Sequence, residues 1–153
     1  AQKKREGMDL EALRDYAEDL KLHICHWFTV EDLQFLRRGG RVSAAAAVIG
    51  SILSIKPVLH VDNEGRLIPV SKVRGRKASL RAIAEKVQET MLDRPDQTLF
   101  ISHGDSEEDA RLVAEMIKER TGLELQVLNF VGPVIGSHSG PGTIAVFFIG
   151  SER

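Results

Sequence analysis

The densest group of chemically capable side chains lies between residues 132 and 142. There Ser137, His138 and Ser139 stand between Gly132-Pro133-Val134-Ile135-Gly136 and Gly140-Pro141-Gly142. Six of these eleven residues are glycine or proline, so the segment reads as a shaped loop rather than slack chain. Two hydroxyls and an imidazole can donate hydrogen bonds to a carboxylate or a phosphate. The glycines would let backbone N–H groups approach the same anion. The plain alternative is a turn whose histidine is packed or solvated.

Other stretches offer weaker chemistry. Arg37-Arg38-Gly39-Gly40-Arg41-Val42-Ser43 precedes a small apolar run and resembles an anion site at a helix start. It lacks the spacing of a P-loop, and a helix connection with solvated arginines explains it equally well. Ser102-His103-Gly104-Asp105 follows a strand and precedes a helix, where ligands often bind in α/β sheets. Asp105 and Ser106 are also ordinary helix caps. Lys72, Arg74, Arg76 and Lys77 gather where a strand becomes a helix. Cations there oppose the helix dipole, which points to an anionic partner or to a solvated charge run. His23, Cys25 and His26 have no second ligand pair at finger spacing, and strand alternation separates His26 from the other two, so no metal is expected. No nucleophile, base and carboxylate fall into a catalytic pattern.

Hydrophobic periodicity supplies the elements that would carry these residues. Asp9 can cap a helix with Leu10, Leu13, Ala17 and Leu20 on one face. Strands are expected over 23–30, 55–61, 66–73, 98–102, 123–130 and 143–149, and amphipathic helices over 77–91 and 106–120. A short helix follows Glu31 and stops at Gly39-Gly40, and Ser43 caps an apolar helix over 44–53 with almost no polar face. Pro57 and Pro69 favour edge or end positions of a hairpin. The order predicts an α/β layer fold with a mixed sheet.

Composition bounds the rest. The chain has 153 residues, 42% hydrophobic and 28% charged, enough for one domain with its own core. Lysine and arginine total 21 against 22 aspartates and glutamates, a net charge of −1, which excludes a generally basic nucleic-acid coat. The eight aromatic residues do not interleave with the basic group, so no nucleic acid is expected as a partner. One cysteine, Cys25, forms no internal disulfide, and no run is long enough to span a bilayer, so a cytoplasmic location is expected. The chain opens without Met on what reads as the last turn of a helix ending at Gly7. It is expected to be a piece of a longer protein.

Four blocks taken together resemble the DegV family: Leu36–Ser43, Ile49–Pro57, Lys72–Arg76 and Gly132–Gly142. The resemblance covers essentially the whole chain and corresponds to the carboxyl-terminal half of family members. Residues 1–7 would then end a helix of an amino-terminal domain, and residues 8–153 would form the carboxyl-terminal domain. The resemblance implies a mixed, largely antiparallel sheet flanked by helices. It also implies a non-catalytic protein, with no cofactor, that binds a long-chain fatty acid between its two domains. A separate fatty acid kinase would convert the presented carboxylate to an acyl phosphate for bacterial phospholipid synthesis.

On that resemblance His138 matches the histidine that meets the carboxylate. Ser137 and Ser139 lie beside it, and Arg41 corresponds to a position near the headgroup. Ile49, Ile52 and Leu53 would line the acyl chain, and burial of a ~16-carbon tail at about 0.8 kcal/mol per CH₂ would drive binding. Lys72, Arg74, Arg76 and Lys77 would dock the kinase or, transiently, an anionic membrane surface. The alternative is a phosphotransfer or hydrolytic enzyme using His138 or His103. A regulatory module that binds another acid is a third, weaker reading.

Overall fold

The computed structural model describes residues 1–43 and 54–151. The expected apolar helix over 44–53, and with it Ile49, Ile52 and Leu53, lies outside the described residues.

The chain opens with α1 (Gln2–Arg5) and α2 (Leu10–Leu20). Asp9 caps α2 by accepting the Ala12 N–H at 2.9 Å. The apolar face of α2 is not packed into the core: Leu10 is 83% exposed and no α2 residue is buried. A polar tie holds this helix instead, because the Tyr16 hydroxyl donates to Asp96 at 2.7 Å.

Six strands form one sheet: β1 (Ile24–Thr29), β2 (Ile55–Val61), β3 (Leu67–Arg74), β4 (Leu99–His103), β5 (Leu125–Phe130) and β6 (Ile144–Ile149). Their order is β3-β2-β1-β6-β4-β5. Among the described residues only β4 and β5 pair in parallel, so the sheet is mixed and largely antiparallel. Pro69 falls on the edge strand β3, as expected. Pro57 is tolerated in the inner strand β2 because the described ladder to β1 involves only Leu59 and His60.

One sheet face is closed by α4 (Arg76–Thr90) and α5 (Glu107–Thr121). Strand alternation sends Cys25, Trp27, Ile101, Val146 and Phe148 to this face, where Leu80, Ile83, Val87, Val113 and Ile117 meet them. This is the main core. The opposite face carries a smaller core of Phe28, Val30, Leu33, Leu36 and Leu59, covered by α3 (Leu33–Arg38). Beside it lies α6 (Pro133–Ser139), where the sequence suggested a loop. Pro133 occupies the first turn of α6, where its missing N–H costs nothing, and Gly140 ends the helix, so the same residues that read as breakers bracket two helical turns. No helix among the described residues is long and apolar enough to cross a membrane.

Candidate functional site: a cleft on the half-covered sheet face

Among the described residues the second sheet face is only half covered. His26 and Phe28 from β1, Ser102 from β4, and Ala145 and Phe147 from β6 form the floor of a cleft of about 450 Å³. Its size is that of a small-molecule site, and its lining is mostly apolar with a few convergent polar groups. The His26 and Phe147 rings meet edge to face, 5.0 Å apart. Leu36, Val61 and Leu67 make one wall, and Phe130, Val134 and Ile135 the other. Phe130, Val134 and Ile135 are 64%, 73% and 63% exposed, so that wall presents a bare apolar rim.

The polar end is built where α3 meets α6. His138 lies in the last turn of α6 with its ring against Gly39, the residue that ends α3. A Cβ on Gly39 would come within 2.1 Å of the ring Nδ1, so only glycine lets the ring lie there. A Cβ on Gly140 would likewise strike the Phe35 ring at 2.6 Å. Gly39 and Gly140 thus serve close packing of the two short helices, whereas Gly40 has open space around it.

Arg41, His138 and Ser139 all line this cleft. Ser139 is 4% exposed, and its hydroxyl has no hydrogen-bond partner among the described residues. A buried hydroxyl left in that state costs free energy unless something else engages it. Arg41 is exposed and donates from its guanidinium to the Gly39 carbonyl, which folds it back over the α3 terminus. It is the one formally charged side chain among the described lining residues, none of which is acidic. Ser137 is turned away: its hydroxyl donates to the Val134 carbonyl within α6 at 2.8 Å, and it does not line the cleft.

The remaining candidates fall elsewhere. His103 is buried, with Nδ1 accepting the Ser106 N–H at 3.1 Å and its ring 4.6 Å from that of Phe130. It caps the start of α5. Cys25 is buried on the closed face and His26 lies on the open one, and no group of three or more potential metal ligands occurs among the described residues.

Lys72, Arg74 and Lys77 are exposed, but Arg76 is not one of their set. Its Nε donates to Asp109 at 2.7 Å and its Nη2 to the Gly142 carbonyl at 2.6 Å. The misfit of a cation at the α4 start is answered by the chain's own acid, which corrects the expectation that Arg76 faces a partner.

The sequence reading missed the floor residues Phe28, Ala145 and Phe147, together with Thr143, whereas Ser102 falls in the stretch it marks at the end of β4. The signal was present: β6 reads Ile-Ala-Val-Phe-Phe-Ile, apolar on both faces, as befits a strand with something apolar on each side. A shallower groove of about 540 Å³ between Gly40–Ser43 and Gly65–Pro69 adjoins the cleft and shares Arg41, Gly65 and Leu67 with it.

Fold and cleft together define a mixed α/β domain that, among the described residues, closes one sheet face and leaves an apolar cleft on the other. The chain belongs to the DegV family: a family model described as an uncharacterised protein of the DegV family matches residues 1–151. It is 43% identical over 153 residues to a DegV domain-containing protein of Clostridium perfringens, covering 100% of this chain and 53% of that protein. Among solved structures it is similar to a fatty acid binding DegV family protein of Streptococcus agalactiae. That likeness has a TM-score of 0.79 and 33% identity, over 97% of this chain and 52% of the other. A DegV family protein of Thermus thermophilus, whose structure is described as showing fatty acid binding, gives a TM-score of 0.73 at 31% identity. It covers 95% of this chain and 52% of its own. The chain therefore spans about half the length of the relatives it matches.

Proposed function

We propose that this chain is one half of a non-catalytic, cytoplasmic carrier of a long-chain fatty acid. The acid lies in the cleft between residues 8–153 and a second domain, and its carboxylate is presented to a separate fatty acid kinase. The observation that carries this reading is the cleft itself. Its apolar floor of Phe28, Ala145 and Phe147 ends at Arg41, His138 and Ser139, with no acidic group among the described lining residues. Such a lining suits a ligand with a long apolar body and one anionic end. The description of the Streptococcus agalactiae and Thermus thermophilus relatives as fatty acid binding supports it.

In this reading His138 and Ser139 donate hydrogen bonds to the carboxylate and Arg41 supplies the positive charge. The bare rim of Phe130, Val134 and Ile135 is the surface that the second domain covers. Lys72, Arg74 and Lys77 steer the kinase, and transiently an anionic membrane surface.

Native mass spectrometry of the two-domain protein from its expression host tests the reading, paired with a fatty-acid titration of the 153-residue chain alone. A retained fatty acid in the former and weak binding by the latter are expected. A two-domain protein that carries and takes up no fatty acid refutes the carrier. Turnover without any partner, lost on His138→Ala, would favour a hydrolytic or phosphotransfer enzyme instead.

A further inference from the structure

We propose that Arg76 is a positioning residue for the headgroup end of the cleft, holding the Gly140–Thr143 turn so that His138 and Ser139 are set toward the ligand. The proposal rests on the fatty-acid reading above.

Arg76 is the first residue of α4, on the far side of the sheet end from the cleft, and its guanidinium reaches three other segments. Nε donates to Asp109 in the first turn of α5, and Nη2 lies 3.4 Å from the Ser106 hydroxyl. Nη1 lies 3.9 Å from Glu31, in the connection between β1 and α3. Nη2 also donates to the carbonyl of Gly142, three residues beyond Ser139.

That last contact enters a closed circuit of short bonds. The Gly142 N–H donates to the Gly104 carbonyl at 2.7 Å, and the Gly104 N–H donates to the Thr143 carbonyl at 2.8 Å. The Thr143 hydroxyl donates to the Gly140 carbonyl at 2.8 Å, and the Gly140 N–H donates back to Gly136 within α6. The turn is thus tied to the end of β4 on one side and to Arg76 on the other. Arg76 is the only charged side chain that hydrogen-bonds the turn among the described residues. Charge-assisted hydrogen bonds of this kind hold geometry more firmly than neutral ones. Asp109 fixes the guanidinium, the guanidinium fixes Gly142, and the turn fixes where α6 ends.

The test uses the two-domain protein with Arg76→Ala, Arg76→Lys and, as a control on the exposed side of the same helix, Arg81→Ala. The first readout needs no ligand: backbone amide hydrogen exchange at Gly104 and Gly142. Arg76→Ala should speed both by about tenfold or more while Ile101 and Val146 stay protected. The second compares hexadecanoic acid with hexadecan-1-ol, which share a tail and differ at the head. Arg76→Ala should weaken the acid by about tenfold and leave the alcohol within about twofold, with Arg81→Ala unchanged on both.

Equal losses for acid and alcohol would show a merely structural role and overturn the proposal. So would an unchanged acid-to-alcohol ratio, whatever the exchange rates. Should Arg76→Ala fail to fold, Arg76→Lys makes the same comparison, since one ammonium cannot reproduce the fork shared between Asp109 and Gly142. A wild-type protein that binds neither probe refutes the fatty-acid reading instead. The exchange readout then decides by itself whether Arg76 holds the turn, and unchanged exchange overturns it.

Discussion

Gly39 and His138, ninety-nine positions apart in the chain, are in direct contact: the imidazole lies where a Cβ on residue 39 would have to be. The glycine that ends α3 therefore sets the position of the ring at the end of α6. Gly39→Ala should displace the ring and destabilise the fold by about 1–3 kcal/mol, as overpacking does. Gly40 is the control. It has a φ of 71° with open space around it, so Gly40→Ala costs backbone strain but leaves the ring alone. Urea titration of both variants, with fatty-acid affinity measured in the two-domain protein, separates the effects. Both should lose stability and only Gly39→Ala should lose affinity by more than about twofold. Equal affinity for the two would show that the ring's position does not matter to the ligand.

In the proposed fatty-acid complex His138→Ala removes one donor to a charged group, a contact that contributes about 1.5–3 kcal/mol. Fatty-acid binding by the two-domain protein should weaken by about tenfold to a hundredfold, measured by calorimetry, and should not vanish because the tail still drives it. With the proposed fatty acid kinase, acyl-phosphate formation should fall further, since transfer needs an oriented carboxylate. Unchanged values for both would reduce His138 to a packing residue.

Neutralising Lys72, Arg74 and Lys77 together should slow association with the proposed kinase partner and remove most of its salt dependence, while fatty-acid affinity stays put. Stopped-flow mixing at two ionic strengths reads this. Arg76 is left out because it is spent on Asp109 and Gly142. An association rate untouched by the triple substitution would move the docking surface elsewhere.

Asp96 ties the start of the chain to the loop before β4. The paired hydrogen bonds from Arg94, and then the one from Tyr16, hold its carboxyl well below the usual carboxylate range. A depressed folded value means that the stabilisation is complete above the ordinary aspartate value near 3.9 and is lost as pH falls below it. Asp96→Asn should therefore cost about 1–2 kcal/mol at pH 7. The gap to wild type should shrink toward pH 2–3 in urea titrations. A gap that stays constant across this range would remove the carboxylate's charge as the cause.

Much of the framework was legible from local pattern. The six strands among the described residues, α2 and the two long helices α4 and α5 follow from periodicity, caps and breakers, which act between near neighbours in the chain. The Ser-His-Ser centre was legible as a polar group in an unusual setting. The helical state of residues 133–139 was not, because proline and glycine carry the same composition whether they flank a helix or shape a loop.

What the sequence by itself determined is the strands and the longer helices, the double-sided apolar character of β6 and the family to which the chain belongs. What only the tertiary structure decided is which residues meet. Ser139 faces the cleft while its neighbour Ser137 bonds back into its own helix, a difference set by the helical turn of α6 and invisible in a Ser-His-Ser string. Arg76 leaves the basic group it belongs to in sequence because Asp109, thirty-three residues on, is folded beside it. Periodicity acts over a few residues and is written locally. Contacts such as Gly39 with His138 form when the sheet order brings distant segments together, and that order depends on packing summed over the whole chain.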